Sequence, residues 1–349
     1  MTIKLIIHQE QLTQRGDSVN AENISLLLRT IYGIESIVVA PNSSRNNYKR
    51  IADMRALGIR VEIYRNLKDL WNISKRFRTT HAYYLTDGTY SNTWIPDTYH
   101  LVHAVFKNFQ PHGHKYAYVS KWLFNKAKKL KINPTLQSSI ETQRKITQSP
   151  YGLDLSLKTS WVPQSVVPKP IIKGTFKKYF SIPRRVKVIA RIGGYDQFND
   201  LSAIHGIREL IFENPRLYFV FVNTKNFIQA SNVMYIDYLS EELKWGMYSD
   251  CDLFINARSM GETFGFSIME PLMIGKPVLA PDQLRHPRMD AHHMKFLRKH
   301  HLTYLNKTHF KFLVKRYLEY PPDEIKLIES VAQFTPENAT KSFYNYFLT

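Results

Sequence analysis

Apolar positions along this chain follow two alternating patterns. Short, nearly continuous apolar runs occupy positions 3–8, 36–40, 61–64, 81–85, 101–106 and 116–120, and amphipathic stretches such as 20–31 and 48–57 lie between several of them. Runs of that length read as strands buried on both faces, and the stretches between them carry the spacing of surface helices. The alternation predicts parallel strands covered by helices. A proline-punctuated connector, 162–170, then interrupts the rhythm, which restarts with strands at 186–190, 217–222, 233–236, 253–257 and 277–280. The expectation is α/β, with two Rossmann-like parallel-sheet domains, 1–165 and 166–336, facing each other across a cleft. Ligands of such sheets sit at the carboxyl ends of the strands. The tail, 337–349, has a helical pattern, with Thr335 as N-cap, Pro336 at the first helical position and Phe343, Tyr344 and Phe347 on one face. That face should dock, and the helix is expected to complete the first domain.

A length of 349 residues accommodates two domains of ordinary size. The single cysteine, Cys251, excludes a disulfide framework and a cysteine-based zinc site and fits a reducing compartment. No apolar run is long enough to span a membrane, and the opening run is too short for a signal sequence, so a cytoplasmic protein is expected. Charge adds a different constraint. Lys+Arg 48 against Asp+Glu 29 gives +19 and a pI near 9.7, which favours phosphate-bearing small molecules, anionic membrane surfaces or nucleic acid. Zinc-finger spacing and an RNA-binding aromatic motif are missing, which sets nucleic acid behind the others. No P-loop exists, since Gly275-Lys276 runs into Pro277, and no G-x-G-x-x-G follows the first strand.

The segment 255–280 carries the chemistry. It reads as strand, glycine-containing loop, helix, glycine stop and strand, with Glu262 before the helix and Glu270 in its second turn. Backbone N–H groups at Thr263, Phe264 and Gly265, just ahead of a helix N-terminus, form a ready phosphate site. A carboxylate inside the helix can accept hydrogen bonds from the paired hydroxyls of a ribose.

This segment resembles the GT-B glycosyltransferases of the retaining, family-4 type. Glu262 and Glu270 match their E-x7-E signature within G-E-T-F-G-x-x-x-x-E-P-x-x-x-G-K-P-V. The stretch 188–194, ending in Arg191-Ile192-Gly193-Gly194, resembles the strand and loop carrying the family's donor-phosphate arginine. The strand around His103 resembles the one whose histidine faces the cleft, and Arg15-Gly16 resembles the first glycine loop, on the acceptor side. The resemblance implies transfer of a hexosyl or pentosyl group from a nucleotide sugar to an acceptor hydroxyl, with retention and without a metal or other cofactor. It implies donor contacts from Arg191, Gly193, Gly194, Glu262, Thr263, Phe264, Gly265 and Glu270, and catalytic roles for Glu262, His103 and Arg191. A glycan, glycoprotein or lipid-linked acceptor and peripheral contact with an anionic membrane would follow. Where the family places a lysine after the arginine, this chain has Asp196 and Gln197. That departure keeps two alternatives open: a catalytically weak GT-B scaffold, or a protein that binds polyanions or nucleic acid.

One further cluster, His292-His293 and His300-His301, lacks the spacing and carboxylate partners of a metal site. It lies in a stretch, 282–316, with nine Lys/Arg against two Asp. It is expected to be a solvated basic helix face.

Overall fold

The computed structural model describes residues 2–13, 16–91, 93–130, 157–285 and 289–349. Internal contacts divide the chain into two compact units, Met1–Ser165 with Pro336–Thr349, and Val166–Thr335.

Among the described residues the first unit is built on seven strands: β1 (Lys4–His8), β2 (Glu35–Pro41), β3 (Arg60–Tyr64), β4 (His81–Thr86), β5 (Tyr99–Ala104), β6 (Lys115–Tyr118) and β7 (Thr159–Trp161). All pair in parallel, in the order β3-β2-β1-β4-β5-β6-β7. Helices α1 (Gly16–Tyr32), α2 (Tyr48–Ala56), α3 (Leu67–Phe77) and α4 (Lys121–Leu130) belong to this unit. Asn47 and Asn66 start α2 and α3 by accepting hydrogen bonds from the amides of Arg50 and Asp69. One core cluster joins Ile6, Ile37, Val39 and Tyr84 of the sheet to Leu70, Ile73 and Phe77 of α3.

The second unit opens with α5 (Thr175–Tyr179), β8 (Lys187–Ile192), α6 (Leu201–Glu213), β9 (Leu217–Val222) and β10 (Val233–Ile236). Next come α7 (Glu241–Asp250), β11 (Leu253–Ile255), β12 (Gly261–Glu262), α8 (Phe266–Met273), β13 (Val278–Pro281) and β14 (Asp290–Ala291). It ends with α9 (Met294–Lys299), β15 (Thr303–Tyr304), α10 (Lys307–Glu319) and α11 (Glu324–Ser330). Its main sheet runs β10-β9-β8-β11-β13-β15, and β12 pairs separately with β14. Strand order reverses direction at β8 and β11, so the open crevice of this sheet lies beyond the carboxyl ends of those two strands.

After α11 the chain returns to the first unit through α12 (Pro336–Phe343), which continues as a π-helix over Tyr344–Leu348. The aromatic face expected to dock does so. Phe343 and Phe347 meet Tyr83 edge-on at centroid distances of 5.0 and 5.7 Å, and Tyr344 stacks on Tyr32 at 4.1 Å. Phe347 is fully buried, so Phe347→Leu should cost about 1.5 kcal/mol through lost volume and edge-to-face contacts. Urea unfolding checks this. A variant as stable as the parent would show that the tail is not part of the folded unit.

Candidate functional site

In the second unit the predicted donor residues gather at the crevice beyond β8 and β11. β8 delivers Arg191 and the loop with Gly193 and Gly194. β11 delivers Asn256 and Arg258, followed by β12, with Glu262, and the start of α8. The two loops are tied together, because the amides of Asn199 and Asp200 both donate to the Ala257 carbonyl at 3.0 and 2.9 Å.

Glu262 lies on β12 rather than in an irregular loop. Its carboxylate accepts from the Arg258 guanidinium at 2.8 Å and from the Asn256 amide at 3.2 Å, and Asn256 also reaches the Ser267 hydroxyl at 3.1 Å. Burial pushes the Glu262 carboxyl above its ordinary range, against the pull of Arg258. Gly261 stands at φ +73°, where a Cβ would lie 1.8 Å from the Asp290 carbonyl oxygen. Only glycine permits the β12–β14 approach that places Glu262.

Gly265 begins α8 with φ +86°, and no side chain caps this helix. Thr263 and Phe264 precede it and are buried. Glu270, in the second turn, is buried with both oxygens engaged: Lys244 donates to one at 2.9 Å and the Tyr248 hydroxyl to the other at 2.6 Å. Neither partner was anticipated from the sequence. Their spacing on α7 puts both on one helical face, but the approach to Glu270 spans more than twenty residues of chain.

Arg191 is only 4% exposed, and its guanidinium is folded back on its own strand ends. It donates to the carbonyls of Val222 at 3.2 Å, Asn223 at 2.8 Å and Gly194 at 2.7 Å, and to the Thr224 hydroxyl. Gly193 makes room for it, since a Cβ there would stand 2.7 Å from the guanidinium. Burial lowers the Arg191 pKa to about 10, with Glu262 acting in the opposite sense. The geometry therefore corrects the expectation of an open phosphate clamp: Arg191 clasps the loops that follow β8 and β9. Asp196 and Gln197 are exposed.

The remaining residues lie elsewhere. His103 is on β5 in the first unit, 1% exposed, with one ring nitrogen bonded to the Tyr83 hydroxyl at 2.7 Å and the other to the Val162 carbonyl at 2.8 Å. Both nitrogens are engaged, so the ring ties β5 to the connector rather than facing a ligand as expected. Gly16 begins α1, and Arg15 lies outside the described residues. His292 and His293 are buried, which overturns the solvated face expected for them; Phe264, Phe296 and Phe334 enclose His292. Lys307, Lys311 and Lys315, counted in the basic stretch, are paired with Glu209 and Glu213. Among the described residues no three His, Cys, Asp or Glu side chains gather as a metal-ligand set, and no helix is long and apolar enough to cross a membrane.

The fold is shared with proteins of known structure. A glycosyltransferase from Rickettsia africae ESF-5 matches with a TM-score of 0.61 and 11% identity, over 99% of this chain and 94% of that one. Anabaena Alr3699/HepE in complex with UDP matches at 0.63 and 10%, over 99% of each chain. The UDP-GlcNAc 2-epimerase of Neisseria meningitidis, bound to UDP-GlcNAc, matches at 0.57 and 12%, over the whole of both chains. The chain has the GT-B fold. No family model and no curated protein sequence matches it.

Proposed function

We propose that the protein is a glycosyltransferase that moves a hexosyl or pentosyl group from a nucleoside-diphosphate sugar to an acceptor hydroxyl, with retention and without a metal. One observation carries this reading. An uncapped helix N-terminus, flanked by the half-buried Glu262 and followed in its second turn by the buried Glu270, stands at the sheet's switch point. In this reading the amides of Thr263, Phe264 and Gly265, aided by the helix dipole, take the diphosphate and the charge that grows on it as the sugar departs. Glu270 accepts from the ribose hydroxyls, and Glu262 orients the loop and meets the donor sugar. Arg191, with Gly193 and Gly194, supplies a fixed positive charge behind the phosphates. Arg15 and Gly16 serve the acceptor, a glycan, glycoprotein or lipid-linked hydroxyl, and the surplus of positive charge suits work at an anionic membrane in the cytoplasm.

Two of the similar structures contain a uridine nucleotide, which makes UDP-sugars the first donors to try. Thermal unfolding with UDP-, GDP- and other nucleotide sugars should single out one donor class. A ligand at a hundredfold excess over its Kd adds about 2.7 kcal/mol of stability. Glu270→Ala should abolish the shift. If no nucleotide sugar stabilises the protein, the reading fails. A shift without turnover, in any acceptor mixture, would favour the weak-scaffold alternative that exposed Asp196 and Gln197 suggest.

A further inference from the structure

Outside the residues that the motif defines, the second unit contains a buried charged cluster that packing alone does not justify. Lys244 extends from α7 with its side chain 10% exposed, 2.9 Å from Glu270 and 3.0 Å from Glu241. Tyr248, fully buried one turn further along, donates to the second Glu270 oxygen at 2.6 Å. A buried ion pair is a poor stabiliser, because desolvation offsets the attraction, and apolar residues of similar volume do as well or better. Stability therefore gives little account of the arrangement.

We infer that Lys244 and Tyr248 are positioning residues that hold Glu270 as a carboxylate, with its unused lone pairs turned to the vicinal hydroxyls of a nucleotide ribose. The inference rests on the donor site proposed above. A carboxylate offers about four acceptor positions, and the two donors on α7 occupy one on each oxygen. One position per oxygen remains, which matches a cis-diol donating one hydrogen bond to each. Burial, and to a lesser extent the Glu241 charge, push the Glu270 carboxyl up, while Lys244 and the Tyr248 hydroxyl act against them. Despite burial, Glu270 and Glu241 hold the Lys244 ammonium above its ordinary value, so it remains charged. The charged and titratable groups facing Glu270 are Lys244, Glu241 and Tyr248, all from α7. On its other sides, β13 carries no titratable side chain, and α11 brings Glu324 only to Gly275, beyond the far end of α8.

Calorimetric titration of the full chain with UDP and with 2′-deoxy-UDP, from about pH 6 to about pH 9, tests this. The parent should prefer UDP about tenfold, with little dependence on pH. Lys244→Met should weaken that preference at the acid end of the range, because the uncompensated carboxyl takes up a proton more readily, and regain it as the pH rises. Lys244→Arg should restore the flat profile. Tyr248→Phe, which keeps the charge, should weaken the preference at every pH; it decides the matter if Lys244→Met does not fold. A Lys244→Met protein that keeps the diol preference and a flat profile overturns the inference and leaves the donor site standing. If the parent binds neither nucleotide, both fall together.

Discussion

Lowering the pH from about 7 to about 5 is expected to remove most of the stability of both units. Among the described residues six histidines are buried, and burial lowers the pKa of every one, His112 included. Burial lowers His8, His100 and His103 in the first unit to about 4, and His292 and His293 in the second to about 3. In the unfolded chain each returns to about 6.5. Between the two values the unfolded state binds more protons, so stability is full above about pH 6.5 and is lost as the pH falls towards 4. At pH 5 each such group costs about 2 kcal/mol, against a total stability of about 5–15 kcal/mol. Glu10, Glu262 and Glu270 act in the other direction, because their raised carboxyls take up protons first in the folded state. They are fewer, and Lys244 and Arg258 hold two of them back. Urea unfolding at the two pH values measures the loss. His293→Phe, which removes a fully buried ring that must stay neutral, should recover part of it. Equal stability at both values would mean that these rings are not buried in solution.

Much of the architecture was legible because parallel strands covered on both faces announce themselves as apolar runs. All eleven runs read from the sequence correspond to strands, and 217–222 and 233–236 match residue for residue. β7, β12, β14 and β15 were missed for one reason: each has two or three residues, too few to show a period. Their pairing depends on neighbours distant in sequence, as with Gly261 against Asp290. The site shows the same division. Glu262, Glu270 and the glycines are local in sequence and could be read there, whereas Lys244 and Tyr248 become partners of Glu270 only through α7 packing on α8. His292 and His293 lie among lysines and arginines, yet apolar Met294, Phe296 and Leu297 set the burial of that segment. Charge density along the chain says little about which side of a short helix faces inward.

Arg191 separates two accounts of the crevice, and its removal should be costly in a specific way. Arg191→Met is expected to lower stability by about 4 kcal/mol, since it strips a donor from three carbonyls and a hydroxyl that the loops after β8 and β9 direct at one guanidinium. Methionine fills part of the volume but donates nothing. Lysine keeps the charge yet lacks the planar fork, so Arg191→Lys should recover less than half of the loss. Because the loop after β8 is also bonded to Ala257, the damage should spread to the approach of Glu262 and reduce nucleotide affinity as well. An arginine that only gripped phosphate would behave differently: its loss would weaken binding and leave the empty protein as stable as before. Unfolding the two variants without ligand, then titrating them with UDP, distinguishes the cases. Undiminished stability with lost binding would return Arg191 to the role of an open clamp and require that its guanidinium swing away from Val222 and Asn223 to reach the diphosphate.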